Sequence, residues 1–225
     1  TPKPSSAASD VYKRQLQNDP ELFELSMSEK TQPLMDLVKK HCEENIKPIQ
    51  QEYSALQNEK EDRWSWHPKQ IELMEGAKEK ARELGLWNFF LPDPDGNIGD
   101  GLTNLDYTYV ASEIGKYPLA SESMNCSAPA NGNIAVLERV GTEDQKNQWR
   151  EPLLNGEIRS AYAMTEPNLA SSDAKNISTS AVLDGDEWVI NGEKFYISGA
   201  GDPRCKIMIT MVKTSPDAHP SKQQS

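Results

Sequence analysis

The sequence is poor in cysteine, histidine and long apolar runs, and each shortage excludes a class of protein. Its three cysteines, Cys42, Cys126 and Cys205, are widely spaced and odd in number. That usage fits a reducing compartment and gives no pattern of metal ligands. The three histidines also lack a cysteine or carboxylate neighbour at ligand spacing. We therefore predict no metal site.

No apolar run approaches the roughly 20 residues that a membrane-spanning helix needs, so we predict no integral membrane segment. No charged-then-apolar leader opens the chain, and secretion is not expected. The chain has 24 basic and 35 acidic residues, for a net charge of -11. This acidic balance argues against nucleic acid and anionic membranes as partners. The 225 residues suffice for one large domain or two modest ones.

Both ends of the chain have the composition of tails. Residues 1–27 are predicted to be disordered, because the first nine are rich in Pro, Ser and Ala and show no periodicity. Residues 10–15 resemble the in-frame translation of a transposon end used in sequencing libraries. We therefore expect residues 1–15 to be a sequencing artefact, the alternative being an ordinary flexible terminus. Residues 214–225 are rich in Ser, Pro, Gln and Lys and are predicted to be a second tail.

Apolar residues recur with a helical period through residues 28–157, which predicts an all-α N-terminal domain. Capping residues are expected at the helix starts, among them Ser28, Thr103 or Asn104, and Thr142. His67-Pro68 is expected to open another helix, with Pro68 at a tolerated early position. Pro48 is expected to kink or end the first helix. We expect helices over about 29–49, 68–84, 103–116, 133–140 and 142–154.

The apolar period changes after Gly156 and predicts a middle β domain over residues 158–213. Short strands are expected at 159–164, 181–183, 187–190, 194–197 and 205–212. Asp184-Gly185-Asp186 and Asn191-Gly192 are hairpin signals between them. Helices followed by strands predict the α+β class, with an N-terminal helical bundle and an incomplete antiparallel β domain. The last strand needs a partner, and the sequence after it supplies none.

Two stretches of the β domain carry the polar groups expected of a binding site. The first, residues 162–173, holds the hydroxyl of Thr165, the carboxylate of Glu166 and a run of small residues. The second, residues 191–201, holds the aromatic ring of Tyr196 and the hydroxyl of Ser198. Together they predict a flat polar floor with an aromatic wall, which suits a planar cofactor with a phosphate tail.

The order of these motifs resembles the N-terminal and middle domains of the acyl-CoA dehydrogenase family. The resemblance runs from about residue 28 to 213. It is strongest to the branch that includes kinase-fused eukaryotic members, which favours long or branched acyl groups. Seven blocks carry it, at residues 81–87, 141–146, 149–156, 164–167, 170–173, 190–194 and 198–202.

This resemblance implies an FAD site. Thr165 is implied to bind the pyrimidine edge of the flavin, and Ser198 to reach its N5 edge. Tyr196 takes the stacking position at which most members have Trp. Ser172 is implied to contact both the FAD phosphates and the acyl-CoA substrate. The implied cofactor contacts are Tyr162, Met164, Thr165, Ala170, Ser171, Ser172, Tyr196, Ile197 and Ser198.

The resemblance also implies a reaction, the FAD-dependent α,β-dehydrogenation of an acyl-CoA thioester. In the family the catalytic base belongs to a C-terminal helical bundle, and this chain is expected to end before it. We therefore name no catalytic residue and expect the fragment to be inactive alone. The alternatives are an acyl-CoA oxidase or flavin monooxygenase on the same scaffold, or a non-enzymatic fragment that binds acyl-CoA or a partner.

The partners and the compartment are also implied by the resemblance. Full-length relatives are expected to form homodimers or homotetramers and to pass electrons to an electron-transfer flavoprotein. The compartment is expected to be the cytoplasm for a bacterial protein, and the mitochondrion or peroxisome for a eukaryotic one.

Overall fold

The computed structural model describes residues 25–60, 62–91 and 101–224, in which helices come first and strands follow. Most of the predicted N-terminal tail, including residues 1–15, lies outside the described residues. The helices are α1 (Gln32–His41), α2 (Lys47–Ala55), α3 (Pro68–Glu83), α4 (Asn104–Ile114), α5 (Ala120–Ser123), α6 (Ala130–Val140), α7 (Glu143–Gln145) and α8 (Glu151–Leu154). The strands are β1 (Arg159–Ala163), β2 (Ser180–Asp184), β3 (Glu187–Asn191) and β4 (Cys205–Thr210).

Helices α1 and α2 form one continuous rod, because a π turn at Cys42–Ile46 joins them. The N–H of Lys47 bonds to the carbonyl of Cys42, five residues earlier. Pro48 follows at once, near the start of α2. Since proline has no N–H to give, the wider turn ahead of it lets the helix pass without ending. Of the two expectations for Pro48, termination of the helix is wrong.

Thr103 and Thr142 cap helices as the sequence predicts, whereas the side chain of Ser28 makes no capping hydrogen bond, so that predicted cap is wrong. His67 and Gln70 form a reciprocal capping box at the start of α3, and Thr142 and Gln145 form another before α7. The hydroxyl of Thr103 accepts a hydrogen bond from the N–H of Asp106 at the start of α4. Each cap satisfies backbone N–H groups that have no partner within the helix. These predicted starts are confirmed.

Helix α6 begins three residues earlier than predicted, at Ala130, directly after Pro129. Asn133 is therefore inside the helix and is 2% exposed. Its amide donates to the hydroxyl of Ser160 at 2.9 Å and to the carbonyl of Ala161 at 3.0 Å. Both acceptors are in β1, so this side chain fastens the helical half to the first strand.

The strands form two small sheets. β2 and β3 make an antiparallel hairpin, as the sequence predicts, with Gly185 in the turn at a φ of 62°. β1 and β4 pair in parallel, with Ala161 opposite Met208 and Ala163 opposite Thr210. The α+β class is confirmed. The expectation that β4 finds no partner is wrong, because β1, more than 40 residues earlier, pairs with it.

Two further expectations for the β domain need correction. Residues 194–197 form no strand, because Tyr196 has a left-handed backbone with a φ of 54°, which breaks an extended run. Residues 214–224 fold back against the sheet: the N–H of Thr214 donates to the carbonyl of Gln223, and Lys213 bridges to Ser180.

In the described part of the chain, two apolar clusters hold the elements together. The larger fills the space between α1, α2, α3 and α4, with Val38, Ile46 and Phe89 at its centre. The smaller lies between α6, α8 and the β1–β4 sheet, where Ile207 of β4 packs against it. The smaller cluster and Asn133 therefore set the position of the sheet against the helices. Among the described helices, none has the length and apolar character needed to cross a bilayer.

Candidate functional site

The candidate site is built from two loops that leave neighbouring strands. We call residues 164–173, which follow β1, the first loop, and residues 192–204, which connect β3 to β4, the second loop. Thr165 and Phe195 hold them together. The N–H of Phe195 donates to the carbonyl of Thr165 at 2.8 Å, and the hydroxyl of Thr165 donates back to the carbonyl of Phe195. The predicted approach of the two stretches is therefore present in the structure.

A buried ion pair is formed by residues that adjoin this bridge in sequence. Glu166 is 5% exposed, and its Oε1 lies 2.9 Å from the Nζ of Lys194. Lys194 also donates to the carbonyl of Met164 at 3.0 Å. The remaining acceptor sites of the carboxylate take the N–H and hydroxyl of Ser178 at 2.8 and 2.6 Å, and the N–H of Thr179 at 2.9 Å. The pair locks the first loop, the second loop and the start of β2 to one another.

The electrostatics of Glu166 follow from these contacts. Burial alone raises the pKa of a carboxyl, but the hydrogen bonds from Ser178, Thr179 and Lys194 outweigh it and hold the pKa of Glu166 far below its ordinary value. The carboxylate is therefore charged throughout the physiological range. A carboxylate this strongly stabilised is a poor proton acceptor, so its chemistry is structural.

Gly192 is needed where β3 meets the second loop. A Cβ at this position would lie 2.7 Å from the Cα of Thr179, so no larger residue fits. Gly192 thus allows two backbone segments to approach closely. The prediction of a hairpin turn at Asn191-Gly192 is wrong.

Tyr196 and Phe195 present the aromatic surface of the site. Tyr196 is 85% exposed, and its ring centroid lies 4.0 Å from that of Phe195. Beside them, the backbone N–H of Thr165 finds no acceptor among the described residues. An exposed ring next to a free N–H suits a flat cofactor with a polar edge.

The small residues of the first loop divide into one buried hydroxyl and two exposed positions. Ser171 is 3% exposed, and its hydroxyl accepts the N–H of Glu166 at 2.8 Å. Ser172 and Ala170 are exposed. The carbonyl of Ala170 accepts the amide of Asn176 at 2.9 Å. The hydroxyl of Ser171 therefore stabilises the first loop from within, whereas Ser172 is open to solvent.

The remaining predicted residues lie at the edges of the site. Tyr162 is half-exposed on β1, between buried Ala161 and Ala163. Met164 and Ile197 are half-buried, and Ser198 is exposed in the turn of the second loop.

Lys194 and Ser178 were missed as site residues by sequence reasoning. A signal existed for Lys194, because a carboxylate expected in a buried loop needs a cation, and Lys194 belongs to a motif that carries the family resemblance. Ser178 gave no such signal. The described residues contain no group of three His, Cys, Asp or Glu side chains that could hold a metal ion.

Comparison with protein families identifies the fold to which these loops belong. The profile of the acyl-CoA dehydrogenase N-terminal domain matches residues 28–157, and that of the middle domain matches residues 161–225. The chain belongs to the acyl-CoA dehydrogenase family. The resemblance stated from its motifs is therefore confirmed.

Individual relatives in the family are longer than this chain. It is 45% identical over 202 residues to mouse acyl-CoA dehydrogenase family member 10, covering 88% of this chain and 18% of the relative. A solved acyl-CoA dehydrogenase from Mycobacterium abscessus is 40% identical, with a TM-score of 0.80, and the match covers 89% of this chain and 50% of that one. The chain thus spans half or less of the length of these two relatives.

A more distant solved structure shares the fold. The glutaryl-CoA dehydrogenase of Mycobacterium smegmatis, solved in complex with FADH2, is 21% identical with a TM-score of 0.60, and the match covers 86% of this chain and 45% of that one.

Proposed function

We propose that this chain supplies one side of an FAD site for the α,β-dehydrogenation of an acyl-CoA thioester. The bridge between Thr165 and Phe195 carries the proposal, because it brings the two loops of the resemblance into contact. Family membership supports it, as does the FADH2 held by the glutaryl-CoA dehydrogenase of the same fold.

The residues present fit a flavin. Thr165 offers a free backbone N–H, and such a donor stabilises negative charge on the ring edge. Tyr196 offers an exposed ring for stacking at the place where most of the family has Trp. Ser198 offers a hydroxyl in the adjoining turn. Together with Tyr162, Met164, Ala170, Ser172 and Ile197 these residues form the proposed cofactor surface, and buried Ser171 supports it from within the first loop.

The residues of this chain are proposed to bind the cofactor and the substrate and to orient them. When bound, FAD supplies the acceptor for the hydride that leaves the β carbon of the acyl chain. Ser172, exposed in the first loop, is proposed to contact both the cofactor phosphates and the acyl-CoA. Holding cofactor and substrate in register on one rigid surface is how such a site lowers the barrier.

We assign no catalytic base to this chain. Glu166 follows Thr165 of the bridge directly in sequence, but its oxygens are occupied by Lys194, Ser178 and Thr179. The base is proposed to lie in the part of the longer relatives that this chain does not cover. The longer protein is also proposed to form homodimers or homotetramers and to pass electrons to an electron-transfer flavoprotein.

The proposal is tested by expressing the 225-residue chain and titrating it with FAD and an acyl-CoA. We expect no dehydrogenase turnover and weak or absent retention of flavin absorbance. A longer product that includes the following domain is expected to be yellow and active. A yellow, active 225-residue chain would contradict the assignment of the base elsewhere, and a longer product without bound flavin would overturn the function.

A further inference from the structure

A buried cluster of charges joins the helical half of the chain to the second loop. Glu122 of α5, whose side chain is 16% exposed, lies 2.5 Å from the Nη1 of Arg204. Lys78 of α3, with a side chain only 4% exposed, lies 3.6 Å from the same carboxylate. Arg159 at the start of β1 is the third cation near Glu122 and donates to the hydroxyl of Ser127. This charge cluster belongs neither to the proposed flavin contacts nor to the apolar clusters.

Arg204 is the link between the cluster and the loop. Its Nε and Nη2 donate to the two carboxylate oxygens of Asp202 at 3.0 and 2.8 Å, while Nη1 is left for Glu122. The guanidinium also stacks 4.3 Å from the ring centroid of Trp66. A planar guanidinium that bonds to two carboxylates and stacks on an aromatic ring has little freedom to rotate.

Asp202 in turn closes the turn that carries Ser198. The N–H of Asp202 donates to the carbonyl of Gly199 at 3.1 Å, and the N–H of Ala200 donates to the carbonyl of Ile197 at 3.2 Å. A displacement of Asp202 therefore breaks or strains the hydrogen bonds that close the turn of residues 197–202. This turn follows Tyr196 directly.

Glu122 is the carboxylate from the helical half that bonds to Arg204. Burial alone raises the pKa of Glu122, but the neighbouring Arg159 and Arg204 lower it, so the group is charged. Without that charge, Asp202 is left to offset the like charges of both Arg159 and Arg204 in a partly desolvated space. Their repulsion favours a displaced Arg204.

We propose that Glu122 is a positioning residue for the flavin-facing turn, residues 197–202, and acts through Arg204 and Asp202. The flavin in this statement rests on the function proposed above. The clamp itself is a property of the chain and is measured without a cofactor.

Hydrogen exchange of the 225-residue chain tests the clamp. In Glu122→Gln the amides of Ala200, Asp202 and Cys205 are expected to exchange about tenfold faster than in the unchanged chain, because the turn opens locally. Amides of α1 and α4 are expected to keep their rates. Glu75→Gln is the matched control: it removes the ion pair with Lys78 in the same cluster, and among the described residues Glu75 makes no hydrogen bond or ion pair with Arg204.

Arg204→Lys is the second variant. It serves as the test if the Glu122→Gln protein does not fold and so lacks the helical circular dichroism signal. Arg204→Lys keeps the charge of the cluster and removes the planar guanidinium, so the same three amides are expected to exchange faster. Equal protection in Glu122→Gln and Glu75→Gln would overturn the clamp. Loss of the helical signal in both Glu122→Gln and Arg204→Lys would also overturn it, because a local clamp does not hold the helices together.

Flavin binding separates the clamp from the proposed function. In the longer protein, Glu122→Gln is expected to weaken FAD binding about tenfold by fluorescence quenching, with Glu75→Gln unchanged. Faster exchange of the turn together with unchanged FAD affinity would refute the positioning role. A longer protein that binds no FAD at all would instead refute the proposed function, whatever the exchange rates.

Discussion

Glu166 is the residue on which the candidate site depends most. We expect Glu166→Gln to lower the free energy of unfolding at pH 7 by about 3 kcal/mol, because it leaves the buried ammonium of Lys194 without its counter-charge. Urea denaturation followed by circular dichroism measures the change. Glu72→Gln is the control, since Glu72 pairs with Lys69 in solvent and its loss is expected to cost far less stability. Equal losses in the two variants would contradict the role given to the buried pair.

His41 makes the stability of the chain depend on pH. It is fully buried, and burial lowers its pKa from 6.5 to about 4. Its Nδ1 lies 3.3 Å from the amide nitrogen of Asn45, and its Nε2 lies 3.1 Å from the hydroxyl of Ser123. Since Asn45 can give this ring nitrogen a hydrogen only if the nitrogen is an acceptor, the contacts fit a neutral ring with its proton on Nε2.

The sign of this dependence follows from the lowered pKa. Unfolded His41 takes up a proton below about pH 6.5 and the folded residue does not, so stability present above that pH is lost as the pH falls toward 4. The loss expected from this residue is about 3 kcal/mol. Urea midpoints between pH 7 and 4 measure this loss. The control is His219→Gln, which replaces an exposed histidine. A His41→Gln variant with the same pH slope as the original chain would refute this account.

At the scale of elements, two glycines are expected to respond in opposite directions. Gly76 lies in α3, and a Cβ there would meet no atom within 4 Å. Gly76→Ala is expected to raise the free energy of unfolding by about 0.5–1 kcal/mol, because alanine loses less conformational entropy in a helix.

Gly192→Ala is expected to lower the free energy of unfolding by about 2 kcal/mol or more. Its added methyl group would press on the backbone of Thr179, where β2 begins. Thermal denaturation of the two alanine variants side by side provides the comparison. A Gly192→Ala protein as stable as the Gly76→Ala protein would show that the junction of β3 with the second loop is not as close as described.

At the scale of the whole molecule, the β2–β3 hairpin exposes apolar side chains on both faces. Val182, Leu183, Trp188 and Ile190 are each more than half exposed. A contiguous apolar surface of this kind is expected to bind the dye ANS in the folded state. We expect Leu183→Thr with Ile190→Thr to remove roughly half of the dye fluorescence. Val140→Thr, which replaces an exposed apolar residue at the end of α6 and outside the hairpin, is the control, and an equal fall there would show that the hairpin is not the binding surface.

The outcome for particular residues shows how far the sequence reaches. His67, Thr103 and Thr142 act on the helices that they begin, and their short-range patterns predicted those starts. Tyr196 was expected in a strand, since aromatic residues favour strands, but the bonds of its neighbour Phe195 to Thr165 impose a different backbone. A local preference thus gave way to a contact with a residue 30 positions earlier.

By itself, the sequence determined the α+β class, the capped helices, the family and the two loops of the candidate site, because each is written in neighbouring residues or in a fixed order of motifs. Tertiary structure alone decided that β1 pairs with β4, that Lys194 neutralises Glu166 and that Arg204 reaches Glu122. These contacts join residues 28 to 82 positions apart. Such partners are selected by packing and by the cost of leaving a buried charge unpaired, and no short stretch of sequence records either.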